Sequence, residues 1–130
     1  QVQEYINTNN LHKKVIFLGG VDLKELATLY QTAKIFLYPS IFEGFGIPII
    51  EALYSKTPVI TTSGGVFPEA GGPDSIYVDP YNISQLKSEI IALLNDDFKR
   101  KEITEKSYEF VQKFNDKKIA EKLNYIYSNL

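Results

Sequence analysis

The stretch Tyr38-Pro39-Ser40-Ile41-Phe42-Glu43-Gly44-Phe45-Gly46-Ile47-Pro48-Ile49-Ile50-Glu51-Ala52-Leu53 decides how this chain folds. It leaves an apolar, aromatic run at Tyr38 and turns through two glycines. It then enters a segment where Pro48 suits the first turn of a helix and the apolar residues from Ile49 to Tyr54 continue it. A strand whose end runs through a glycine-bearing loop into a helix is one βα step, and the flanking sequence repeats the step on both sides.

Four short runs rich in β-branched or aromatic residues alternate with amphipathic stretches: Val15 to Leu18, Ile35 to Tyr38, Val59 to Thr61 and Ile76 to Val78. This alternation predicts an α/β fold, a Rossmann-like parallel sheet of about four strands flanked by helices. Between the first two runs, Asp22 is placed to cap a helix with Glu25 three residues on, and Leu23, Leu26, Ala27, Tyr30 and Ala33 share one face. After the fourth run, Asn82 can cap a helix carrying Leu86, Ile90, Leu93 and Leu94. The remainder reads as C-terminal helices, with Ile103, Phe110, Val111 and Phe114 on one face and Ile119, Leu123, Ile126 and Leu130 on another. Thr61 to Pro73, with four glycines, reads as a long irregular loop. Loops at the carboxyl ends of parallel strands are where open α/β sheets bind ligands.

Composition narrows the function classes. With 130 residues, 44% hydrophobic and 23% charged, the chain suits one globular domain. A formal net charge of -2 leaves no basic surface for a nucleic-acid backbone, so nucleic acid is not an expected partner. The chain has no Cys and a single histidine, His12, which removes thiolate and His-rich metal sites; no metal or resident cofactor is expected. His12 itself reads as a solvated loop residue. Glu43 and Glu51 interrupt the most apolar region, so no run reaches the length of a membrane span, and no signal-peptide pattern opens the chain. A cytoplasmic location is the expectation, with the full-length protein able to lie peripheral to the inner membrane face. The chain opens at Gln1 and holds no Met, which makes an excised piece of a longer protein the expectation.

The decisive stretch also carries the chemistry. Gly44 and Gly46 let the main chain approach a ligand closely, and the free amides and dipole at the start of the following helix favour phosphate oxygens. A pyrophosphate can be held there without a lysine. Glu43 precedes the turn and Glu51 lies just past Pro48, so both carboxylates can face one cleft, where they would accept hydrogen bonds from sugar hydroxyls. Simpler readings stand beside this one. Glu51 can be a favourable charge near a helix dipole, Glu43 a loop charge, and the glycines a plain turn. Against them, Glu51 is the only charge between Gly44 and Tyr54, and an unpaired carboxylate among apolar neighbours is expensive. Glu69 after Pro68 reads as part of a short turn, the tyrosines as packing residues, and Lys99 to Lys101 as a solvated helix face.

The stretch resembles the E-x7-E motif of retaining glycosyltransferases with the GT-B fold (glycosyl transferases group 1 type), running here from Glu43 to Glu51. The resemblance extends to Val15-Ile-Phe-Leu-Gly, Pro39-Ser40, Pro58-Val59-Ile60, Gly64-Gly65 with Pro68-Glu69, and Val78-Asp79-Pro80, in order along nearly the whole chain. It implies a partial C-terminal nucleotide-sugar-binding domain over residues 1–130, with the acceptor domain and first strands absent. By the same resemblance Glu43 is the catalytic-site residue facing the donor hexose, in an electrostatic and positioning role. Glu51 would bind the ribose hydroxyls. Gly44 and the amides of Phe45 and Gly46 would contact hexose or phosphates, and Gly19 to Val21 would lie beside the base.

The implied reaction transfers a hexosyl group from a nucleoside diphosphate sugar to a sugar or glycolipid acceptor, in polysaccharide, lipopolysaccharide or glycolipid biosynthesis. The acceptor would be bound through the missing N-terminal domain. An Arg and a Lys that grip the diphosphate in this family would lie upstream of Gln1. The fragment alone is therefore expected to be inactive, and its bared apolar surface makes self-association an expectation. Two alternatives remain: a sugar-nucleotide epimerase of the same fold, and a non-catalytic sugar-nucleotide binding module. Turnover with acceptor, turnover without one, and no turnover distinguish the three.

Overall fold

A computed structural model describes residues 1–130. A short helix α1 (Val2–Thr8) leads to helix α2 (Leu23–Thr32). Three βα steps follow: strand β1 (Phe36–Tyr38) and helix α3 (Ile47–Tyr54), strand β2 (Val59–Thr62) and helix α4 (Phe67–Gly71), then strand β3 (Ile76–Val78) and helix α5 (Ile83–Asn95). The chain ends with α6 (Asp97–Val111), a 3-10 turn (Gln112–Phe114) and α7 (Asp116–Ser128). All three strands are parallel in the order β1-β2-β3, with Phe36 beside Val59, Tyr38 beside Thr61, and Thr61 beside Tyr77.

The helix starts form for the local reasons the sequence announces. Asp22 accepts from the Glu25 amide at 2.8 Å while the Glu25 side chain accepts from the Asp22 amide at 2.9 Å, a complete capping box. Asn82 accepts from the Gln85 amide at 3.0 Å, and Pro48 sits in the first turn of α3, where its missing N–H costs nothing.

Two expectations are corrected. The sheet has three strands, not about four, because Val15 to Leu18 forms no ladder. Ile16, Phe17 and Leu18 stand 80, 65 and 57% exposed. A strand exists only through a hydrogen-bonded neighbour. Apolar β-branched residues say that a run suits a pleated surface; they do not supply that surface, and no strand of this chain pairs with this run. The stretch from Thr61 to Pro73 is also more regular than expected. Thr62 completes β2, and the five residues Phe67–Gly71 wind into α4, with Pro68 in the first turn and Phe67 and Ala70 buried.

Successive residues of β2 face opposite ways, and the core is built on that alternation. Val59 joins Tyr30, Ile49, Leu53, Phe67 and Val111 on one face, and Ile60 joins Val78, Leu93 and Ile103 on the other. Helix α6 contributes Ile103 to one cluster and Val111 to the other, so it crosses the sheet and ties both layers together. It packs so closely that a Cβ on Gly72, at φ +70, would meet the Phe110 ring at 2.6 Å. Of the C-terminal apolar face, Ile119, Leu123 and Ile126 remain about half exposed, and α7 buries none of its residues.

Candidate functional site

The loop leaving β1 is fixed from below by its neighbour strand. Thr61 Oγ1 donates to the Tyr38 carbonyl at 2.9 Å and Thr62 Oγ1 donates to the Ser40 carbonyl at 2.7 Å, both from buried positions. The main chain therefore leaves the sheet along one path, and Ser40, Glu43 and Gly44 are presented beyond the carboxyl end of β1. Gly46 then closes the turn. Its φ of +83 lies in the left-handed region, which costs an L-residue with a side chain about 1–2 kcal/mol. A Cβ there would also press on Ala70 Cβ at 3.3 Å.

This turn leaves a run of main-chain donors unused. The N–H groups of Gly44, Phe45, Gly46 and Ile47 have no acceptor in the chain, and α3 begins with no side-chain cap. Unpaired amides at a helix start can seat an anion. A Cβ on Gly44 would meet nothing within 4 Å, so this part of the loop opens to solvent, whereas the Phe45 ring leans edge-on against Phe114 at 5.6 Å.

Glu43 and Glu51 flank the run, both half-buried. Glu43 Oε1 accepts from Tyr38 Oη at 2.6 Å and from Ser40 Oγ at 3.0 Å. Glu51 Oε2 accepts from Tyr30 Oη at 3.3 Å. Each carboxylate thus has one oxygen held by the protein and one without a protein partner, and neither is consumed in a salt bridge. The holding tyrosines belong to one aromatic row: Tyr30 meets Phe36 edge-on at 5.1 Å, and Phe36 stacks on Tyr38 at 5.6 Å. Phe36 and Tyr38 alternate onto the same face of β1, so both glutamates are attached to one side of the sheet.

The electrostatics follow from these contacts. The bond to Glu43, then burial and the carboxylate's charge, push the Tyr38 phenol from 10.0 up to about 12. Burial, then the charge and hydrogen bond of Glu51, push Tyr30 up to about 12. Both tyrosines stay protonated donors near neutral pH.

Three hollows lie on the surface of the domain. One of about 310 Å³ is lined by Glu51 with Tyr30, Leu26, Ile50 and Tyr54. Another of about 460 Å³ lies at the carboxyl ends of all three strands, with Ile41 from the first loop, Ser63 to Gly65 from the second, and Pro80 and Tyr81 from the third. A larger one of about 570 Å³, between Glu69, Phe114 and α7, contains neither carboxylate. Gly19 and Val21 are exposed, and Val21 borders a separate shallow hollow with Leu18 and Leu29. Glu43, Gly44, Phe45 and Gly46 form one loop that leads into α3, where Glu51 stands; Glu51 lines the 310 Å³ hollow, which takes in neither Glu43 nor the glycine turn, and Gly19 and Val21 share no hollow with Glu51.

Sequence reasoning missed Tyr30, Tyr38 and Ser40, taking the tyrosines as packing. The available signal was Tyr38 and Ser40 standing five and three residues before Glu43. No helix is long and apolar enough to cross a membrane.

A parallel α/β sheet flanked by helices, with a glycine-bearing loop at the carboxyl end of β1, defines a Rossmann-like domain. The chain belongs to the glycosyl transferases group 1 family, whose pattern matches residues 1–110. Over 79 residues it is 46% identical to the O-antigen chain mannosyltransferase RfbU of Salmonella typhimurium, covering 61% of this chain and 22% of that protein. It is 37% identical over 81 residues to O-antigen chain mannosyltransferase B of Escherichia coli, covering 62% and 21%. Among solved structures, the sucrose-phosphate synthase of Thermosynechococcus elongatus superposes with a TM-score of 0.86 at 29% identity, over 98% of this chain and 33% of that one. The C-terminal domain of a group 1 glycosyl transferase (LpcC) from Francisella tularensis gives 0.77 at 30% identity, over 87% and 60%. The chain is thus a GT-B type glycosyltransferase domain, spanning about a fifth of the length of these curated relatives.

Proposed function

We propose that this chain is the donor-binding part of a retaining hexosyltransferase that uses a nucleoside diphosphate sugar. The observation that carries this reading is the pairing of two half-held carboxylates around four unused amides. The diphosphate sits on the amides of Gly44 to Ile47 and the α3 dipole. The free oxygen of Glu51 accepts from the ribose hydroxyls, and that of Glu43 accepts from the hexose and stabilises positive charge developing at its anomeric carbon. No metal is assigned to donor binding; the amides carry the phosphate charge. Two relatives, a mannosylfructose-phosphate synthase and a sucrose synthase, carry sugar-transfer names that support the class of partner.

In the whole protein the domain would close against an acceptor-binding domain, excluding water from the reacting centre. The acceptor is a sugar or glycolipid of a surface polysaccharide pathway, reached in the cytoplasm or at its membrane face, in keeping with the O-antigen names of two relatives.

Calorimetry of Glu51→Ala in the full-length enzyme tests the reading. Loss of charged hydrogen bonds to ribose should weaken nucleotide binding by roughly 1.5–3 kcal/mol. Unchanged affinity removes the ribose assignment. Glu43→Gln should lower turnover more than donor affinity, and an equal loss in both removes its transition-state role.

A further inference from the structure

We infer that Tyr38 and Tyr30 are positioning residues with separate clients, Tyr38 with Ser40 aiming Glu43 at the sugar and Tyr30 aiming Glu51 at the nucleoside. The inference rests on the donor-binding reading above and assigns roles to side chains that reading does not use. Glu43 sits in a loop, and Glu51 is on α3; a glutamate side chain in either place has three freely rotating bonds. What removes that freedom here is hydrogen bonding to rigid aromatics. Tyr38 Oη and Ser40 Oγ both donate to the same oxygen of Glu43, which leaves the other oxygen without a protein partner. Ser40 is itself pinned through its carbonyl by Thr62. Tyr38 is pinned through its carbonyl by Thr61 and through its ring by Phe36.

On the other side, Tyr30 is buried in the core, and its ring is fixed edge-on to Phe36. The buried Thr57 hydroxyl donates to its carbonyl. Its hydroxyl reaches Glu51 within the hollow that Leu26, Ile50 and Tyr54 line. Both phenols remain protonated, so each spends its one O–H on a carboxylate oxygen, and each leaves the carboxylate's second oxygen as the acceptor for a ligand hydroxyl.

Separate clients predict separable losses. The test titrates the full chain, by NMR-detected binding, with UDP, GDP and ADP and with UDP-glucose, GDP-mannose and ADP-glucose. The quantity read is the gain in affinity that the hexose adds to the bare nucleoside diphosphate. In Tyr38→Phe the hexose gain should fall by about tenfold, one well-placed charged hydrogen bond, while the nucleoside diphosphate still binds. In Tyr30→Phe affinity should fall by a similar factor for nucleoside diphosphate and sugar nucleotide alike, leaving the hexose gain in place. A merely structural role would lower both affinities in both variants, and that result overturns the inference. Ser40→Ala, which removes the second donor without touching the aromatic row, must share the Tyr38→Phe pattern; if it keeps the full hexose gain, the inference fails even should Tyr38→Phe not fold.

Glu43→Gln and Glu51→Ala separate this from the parent reading. If they show the two losses and the tyrosine variants do not, the positioning roles fall and the donor site stands. If the glutamate variants bind like the native chain, or the native chain binds none of the six probes, both fall together.

Discussion

Tyr38 donates to Glu43 at 2.6 Å across the turn that carries the chain out of the sheet, and it reaches the same oxygen that Ser40 reaches at 3.0 Å. A strand residue and a loop residue therefore agree on one orientation of a carboxylate that local propensity leaves free. The bond is strong because its acceptor is charged. It also has consequences that can be read without any ligand.

The first concerns pH. Tyr38 and Tyr30 release their protons at about 12 in the folded chain and near 10.0 when unfolded. The folded state binds these protons more tightly, so the stabilisation is fully present below pH 10 and is lost as pH rises toward 12. Urea midpoints measured from pH 9 upward should decline over that window. Tyr38→Phe should flatten the decline. A midpoint that holds steady to pH 12 in the native chain contradicts the two phenols' placement.

Gly46 and Gly44 should respond differently to the same substitution. Gly46→Ala places a side chain at φ +83 against Ala70 and should cost about 1–3 kcal/mol of folding stability. Gly44→Ala meets open space and should stay within about 0.5 kcal/mol of the native chain while weakening diphosphate binding. Chemical denaturation compares the two, and equal losses would contradict the turn geometry.

Thr62→Val keeps the shape of a buried side chain but deletes the donor to the Ser40 carbonyl. The cost should be about 1–3 kcal/mol. Amide exchange should quicken at residues 40–43 more than in β3. Uniform quickening throughout would show that Thr62 supports the sheet and not the loop.

The chain by itself should release no nucleoside diphosphate from the sugar nucleotides tested above, with or without added acceptor. EDTA should leave their binding unchanged. Product appearing in the absence of any other domain contradicts the first expectation, and a chelator-sensitive affinity contradicts the second.

Much of this architecture was legible in the residues. The capping box at Asp22, the cap at Asn82 and Pro48 in the first turn of α3 are local devices, and each appears where its residues stand. Three apolar runs became strands because each found a parallel neighbour. Val15 to Leu18 has the same composition and did not, since pairing depends on a second segment that its own residues cannot announce. Around the candidate site, the glycine turn into α3 was readable from its residues. The partnership of Tyr30 was not: it lies 21 positions before Glu51, and the packing of α2 against α3 brings its hydroxyl there.

The row Tyr30–Phe36–Tyr38 has a bearing on how such a domain could be retuned. Because the Phe36 ring packs against the rings of both Tyr30 and Tyr38, a change in its size or tilt would disturb the hydrogen-bond partners of both glutamates together. If the proposed donor site is right, preferences for base and for sugar would drift in concert, and attempts to alter one alone would do better to start in the solvent-facing turn at Gly44.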